Sequence, residues 1–119
     1  MTETEPSIDA LFAGKDAAVL TTYLRILDRI GVFGAFREEP KETSIHLART
    51  TAFAGIHPQK RALILNLRTQ RPIDSERVLT CEQMSKNRYD NEIRLTSPNE
   101  VDAELNSWLR EAYRLGGRA

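Results

Sequence analysis

The stretch TSIHLARTTAFAGIHPQKRALILNL, residues 43–67, decides the fold. Ile45 and Leu47 alternate with Ser44, His46 and Ala48; Phe53 and Gly55 alternate with Ala54 and Ile56; Leu63, Leu65 and Leu67 alternate with Ala62, Ile64 and Asn66. A period of two belongs to a pleated strand whose faces differ in burial. The breaks at Arg49–Thr51 and His57–Lys60 are too short for crossover connections, so the three strands are expected to pair as an antiparallel meander.

Upstream the period changes. A short amphipathic turn, Ile8–Ala13, runs to Gly14, a left-handed stop. Asp16 reads as the N-cap of a helix over Ala17–Ile30, with Leu20, Tyr23, Leu24, Leu27 and Ile30 as its buried stripe. Gly31, Gly34 and Pro40 keep the following segment out of helix. Downstream, Arg77–Thr80 and Glu92–Thr96 are weaker strand candidates, and the polar Glu82–Asn91 between them reads as a mobile connection. Ser97-Pro98-Asn99-Glu100 has the form of a capping box opening a helix, with Val101, Leu105, Trp108, Leu109 and Ala112 on its apolar face and a stop at Gly116. The order predicts an α+β domain over residues 8–119. Its antiparallel sheet has four to five strands, and the N- and C-terminal helices pack on one face, leaving the other open. Residues 1–7 are expected to form a loose tail.

Composition narrows the class. At 119 residues with 40% apolar and 29% charged side chains, the chain can bury one core, and it is too apolar for a disordered one. The formal net charge is zero, but its distribution is uneven. Residues 41–94 hold ten basic and six acidic side chains, against four and seven in residues 1–40 and three and four in the last 25. A sheet formed from the middle of the chain would therefore carry a positive face. Cys81 is the single cysteine, which excludes an internal disulfide and suits a reducing compartment. No apolar run reaches the roughly 18 residues a membrane span needs, and the acidic N-terminus has no secretory pattern. A soluble, cytoplasmic protein is expected.

Enzyme motifs are missing. There is no glycine-rich phosphate loop, nucleophile elbow, paired-cysteine metal spacing or HExxH. Gly14-Lys15-Asp16 is explained by a helix stop followed by a cap. Strand parity turns His46 outward, and His57 precedes Pro58 in a turn, so the histidines read as surface groups rather than metal ligands. No catalytic set, metal site or cofactor is expected.

The basic residues of the central third carry the binding expectation. Lys41, Arg49, Lys60, Arg61, Arg88 and Arg94, with Arg68 and Arg71, lie in or beside the expected strands. Together with outward-facing His46 they would form a sheet-side surface for an anion or nucleic acid, provided that they converge. The simpler account is solubilising charge balanced by neighbours such as Glu42 and Glu92. Two alternatives come from other classes. One is a protein-interaction or homodimerisation domain using the open sheet edges. The other is a small-ligand protein with a pocket between helices and sheet near Trp108 and Tyr113, although core packing accounts for those two aromatics.

Five segments carry a family resemblance over about Ile8–Tyr113: Leu11-Phe12-Ala13-Gly14-Lys15-Asp16, Lys41-Glu42-Thr43-Ser44-Ile45, Phe53-Ala54, Arg94-Leu95-Thr96-Ser97 with Asp102-Ala103-Glu104-Leu105, and Trp108-Leu109-Arg110-Glu111-Ala112-Tyr113. As a full-length pattern the chain resembles the small bacterial domain of unknown function 5655 family. The resemblance implies an α+β fold of the YdhG-like group and assigns no activity or catalytic residues. It implies members that stand alone or are appended to other domains, predicted restriction-type nucleases among them, which points by association toward nucleic acid. It also implies a histidine before the last strand, where this chain has Asn91.

Overall fold

The computed structural model describes residues 7–118, so most of the expected tail, residues 1–6, lies outside the described residues. Helices α1 (Ile8–Phe12) and α2 (Ala17–Phe33) precede six strands: β1 (Arg37–Pro40), β2 (Ile45–Ala48), β3 (Ala52–Pro58), β4 (Leu63–Thr69), β5 (Val78–Ser85) and β6 (Arg88–Leu95). A 3-10 turn, Pro98–Glu100, leads into α3 (Ala103–Gly116). The strands form one open antiparallel sheet in the order β1-β2-β3-β4-β6-β5.

The meander of residues 43–67 is present as β2, β3 and β4. Ile45, Ile56, Leu65 and Ile93 stand opposite one another across four strands, and all are buried. This row, with Leu63, Leu67 and Leu95, meets Tyr23, Ile26 and Ile30 of α2 and Leu105, Leu109 and Ala112 of α3 in one apolar core. Fully burying each such aliphatic side chain stabilises the fold by roughly 1.5–3 kcal/mol, so this single layer holds helices and sheet together.

A bulge refines the alternation in β3. Ala48 pairs with Ala52 while Leu47 pairs with Ala54, which leaves Phe53 as the extra residue. The bulge lets Phe53 and Ala54 both lie buried, and Phe53 packs edge-on against Tyr113 of α3 at 5.6 Å between ring centroids. Tyr113 also lies against Phe33, and its hydroxyl donates to the Ala35 carbonyl at 3.0 Å. It is a core residue, as its apolar neighbours in the sequence suggest.

The sheet has more strands than the four to five expected. β1 was hidden by Pro40, which an edge strand accommodates because one side of its backbone has no ladder partner. The Glu82–Asn91 stretch, expected to be a mobile connection, instead forms most of the β5–β6 hairpin, turning at Lys86 and Asn87. β5 lies beyond the two helices at the sheet's edge, so most of its side chains are exposed on both faces and no alternation marks it.

Both long helices stand where expected, with two corrections. In α2 the buried positions are Val19, Thr22, Tyr23, Ile26 and Ile30, whereas Leu20 is 40% and Leu24 49% exposed. The helix carries two apolar stripes, and packing selects the second. The Ser97–Glu100 capping box is real, but it closes the 3-10 turn. α3 itself starts at Asp102, whose carboxylate accepts from the Leu105 N–H at 3.0 Å. Gly14 has φ 76°, the left-handed conformation expected of a helix stop.

Candidate functional site

The cations expected to converge on the open face of the sheet divide among four places. His46 of β2 and Arg94 of β6 project from that face, and Lys41 follows β1 at its rim; His46 faces Gly55, and Arg94 stands opposite Ile64. Lys60 and Arg61 occupy the β3–β4 turn, where the Lys60 carbonyl accepts from the Asp16 N–H at 2.9 Å and ties the turn to the start of α2. Arg88 lies at the tip of the β5–β6 hairpin. Arg49 is drawn under α3: its guanidinium sits 4.0 Å from the Tyr113 ring centroid and donates to the Tyr113 carbonyl at 3.1 Å. It clamps the C-terminal turn of α3 to the β2–β3 connection.

A denser cationic surface forms on the helix side. Arg110, Arg114 and Arg118 follow at four-residue spacing, which stacks them along one face of α3 and its C-terminal extension. The β4–β5 connection brings Arg71 to the same groove, of about 600 Å³, where Gln70 and Ser107 add polar groups and Glu111 is the lone carboxylate among the described residues. Among the described residues the cations paired with carboxylates are Arg37, with Glu39, and Arg77, with Asp102 and Glu104. None of the four groove arginines is so paired. Arg110 also lies over the Phe33 ring at 5.5 Å, which orients it without neutralising it.

The groove depends on a buried polar lock. Asn91 of β6 is fully buried beneath the β4–β5 connection. Its amide donates to the Leu67 carbonyl at 3.0 Å and the Thr69 hydroxyl at 2.9 Å, and its oxygen accepts from the Ile73 N–H at 3.0 Å. Thr69 in turn donates to the Arg71 carbonyl. This chain of bonds fixes the backbone that presents Arg71. At the far end of the connection, Arg77 donates to Asp102 at 3.0 Å, to Glu104 at 3.1 Å and to the Glu100 carbonyl at 2.7 Å, and lies 5.6 Å from the Trp108 ring centroid. Trp108 is half-buried there and serves packing.

From the groove the positive surface continues. Arg118 and Leu115 also border a concavity of about 280 Å³ that includes Met84, Arg88 and Arg68. Arg68 then reaches a shallow dish of about 170 Å³ on the open face, lined by His46, His57, Asn66 and Asp90 around Gly55. Six arginines, at positions 71, 110, 114, 118, 88 and 68, thus line adjoining concavities that run from α3 past the β5–β6 hairpin.

Of the sequence-expected residues, only Arg88, Arg68 and Arg71 join this belt, while His46 lines the dish beside it. Arg110 and Arg114 read in the sequence only as charges near a helix end, yet their spacing with Arg118 was legible. The approach of Arg71 is tertiary and left no local signal. Among the described residues no group of three or more His, Cys, Asp or Glu side chains is arranged to hold a metal ion, Cys81 is a free, exposed thiol, and no helix is long and apolar enough to cross a membrane.

Comparison with known proteins gives a family and nothing finer. The model of a family described as "Domain of unknown function (DUF5655)" matches residues 8–116. No curated protein and no solved structure matches the chain.

Proposed function

Because the chain belongs to the DUF5655 family, whose description names no chemistry, we propose from its surface that it is a non-enzymatic binding module for an extended polyanion, the phosphate backbone of nucleic acid. The observation that carries this reading is the groove in which Arg71, Arg110, Arg114 and Arg118 face one volume, with no carboxylate pairing them among the described residues. Guanidinium groups suit phosphate because they donate two parallel hydrogen bonds and stay charged at any physiological pH. The continuation of the belt past Arg88 and Arg68 favours a long ligand over a single ion. The basic surface runs beside the sheet rather than across its open face, where Glu39, Asp90 and Glu92 dilute the positive charge. A cytoplasmic setting fits both the partner and the free thiol.

Fluorescence-anisotropy titrations with labelled single- and double-stranded DNA and RNA, at several salt concentrations, test the proposal. Four phosphate contacts predict a slope of log affinity against log salt of roughly −3 to −4. Arg110→Gln with Arg114→Gln removes two of those contacts and flattens the slope by roughly two. Absence of binding at tens of micromolar protein in low salt overturns the assignment.

Self-association is a second reading, and one observation favours it. Leu20 and Leu24 sit outside the core on α2 at four-residue spacing, beside half-buried Leu27. A second copy packed along that helix would bury them. Light scattering that returns a monomer mass at every concentration removes this reading.

A further inference from the structure

The open face of the sheet holds a second, smaller feature that the belt does not explain. Gly55 of β3 lies between His46 of β2 and Asn66 of β4 in register, and its missing side chain leaves the floor of the 170 Å³ dish bare. His57, two residues along the same strand, leans back over it: its Nε2 lies 3.9 Å from the position a Gly55 Cβ would take. Arg68, two residues along β4 from Asn66, closes the opposite side.

Three carboxylates stand near the dish. Asp90, which lines it opposite Arg68, accepts from the Asn66 amide at 3.0 Å, Glu39 accepts from Arg37 at 3.2 Å, and Glu92 stands opposite Asn66. The imidazoles of His46 and His57 and the guanidinium of Arg68 have no hydrogen-bond partner among the described residues. Three nitrogen-rich side chains, together with Asp90, therefore surround a glycine floor in a shallow dish large enough to admit a tetrahedral oxyanion.

We propose that this dish binds a single phosphate-type oxyanion, and that it does so more tightly as the solution becomes more acidic. Arg68 supplies a permanent charge, while the two histidines add charge only when protonated. Around His46 stand Glu39 and Lys41 from β1 and its turn, His57 from β3 and Arg68 from β4; Asp90 of β6 lies beside Arg68. Burial, and then the positive charges of Lys41, Arg68 and His57, hold the His46 imidazole below its ordinary range against the opposing pull of Glu39. His46 is thus neutral at neutral pH and takes its proton on acidification. A bound anion favours that proton, so anion binding and proton uptake reinforce one another.

The dish shares Arg68 with the end of the belt but none of the four groove arginines, so groove and dish can each fail alone. The test is a sulfate titration of the ¹⁵N-labelled protein followed by NMR, because sulfate stays a dianion throughout the range of imidazole titration. Saturable shifts are expected at Gly55 and at both imidazoles, with affinity at least about tenfold higher near pH 5.5 than near pH 7.5. Arg68→Gln and His46→Gln should each abolish those shifts, and Arg114→Gln should leave them intact. Inorganic phosphate should compete for the same resonances. Shifts confined to Arg110, Arg114 and Arg118, or an affinity equal at both pH values, would overturn the proposal.

Discussion

Replacing Asn91 with alanine tests the lock under the β4–β5 connection. The side chain is fully buried and makes three hydrogen bonds, two as donor to the Leu67 carbonyl and Thr69 hydroxyl and one as acceptor from the Ile73 N–H. Each contributes a net of about 1 kcal/mol, and alanine leaves the Ile73 N–H without its partner, so the expected loss is about 3 kcal/mol. Urea unfolding followed by circular dichroism measures it. With a slope of about 1.5–2 kcal/mol per molar for a domain of this size, the midpoint should fall by about 1.5–2 M with the slope unchanged. Hydrogen exchange supplies a local readout: the Ile73 amide should lose its protection while the β3 and β4 amides keep theirs relative to global stability. The same variant should bind polyanions more weakly than its residual folding explains, because Arg71 is no longer held at the groove. A loss below about 1 kcal/mol, or an Ile73 amide that stays protected, would show that this segment is held in place by other contacts.

Two further outcomes follow from local geometry. Gly116→Ala places a methyl group 2.9 Å from the Phe53 Cβ, inside a packed contact, and should cost about 1–3 kcal/mol in a thermal melt; an unchanged midpoint would mean that Phe53 moves aside freely. Arg77→Met should lower stability at neutral pH by less than about 1 kcal/mol, because Asp102 and Glu104 are half exposed and the surrounding water screens the pairs. That difference should fade in acid. The Leu105 N–H holds the Asp102 carboxyl below the usual carboxylate range, and with help from Arg77 it outweighs the opposing effect of burial. At Glu100 burial pushes the pKa upward, but hydrogen bonds from Thr96 and Ser97 outweigh it. Depressed carboxyl pKa values stabilise the fold above the unfolded-state value and lose that effect as pH falls through the folded one. Unfolding curves recorded from about pH 7 to pH 2 should therefore converge for the two proteins, and parallel curves would contradict the pairing.

The meander was legible because both helices press on the same face of β2–β4. That one-sided burial imprints a period of two on Ile45–Leu47 and Leu63–Leu67. β5 bears no such imprint, because residues 78–85 lie past the helices with both faces wet. In α2 the leucine-rich stripe was the more apolar in sequence, and only the tertiary fit of Val19 and Ile26 into the core selects the other. The candidate groove was read only in part. Charge density in residues 41–94 pointed to a cationic surface on the sheet, whereas three of the four groove arginines, Arg110, Arg114 and Arg118, lie outside that segment at a four-residue spacing open to inspection. That Arg49 would be consumed by an aromatic ring 64 positions away, and that Arg71 would be delivered to the helix by a buried asparagine, depends on contacts distant in sequence.

The position of the last helical turn has a consequence during synthesis. Thr51 donates to the Gly116 carbonyl at 3.0 Å, and Phe53 rests against Gly116, so the middle strands are finished only once the final turn of α3 has been made. On a ribosome adding about 5–20 residues per second, the leucines of β4 wait roughly 2–10 s for their cover. Throughout that interval the apolar row of β2–β4 lacks the half of its cover that α3 supplies.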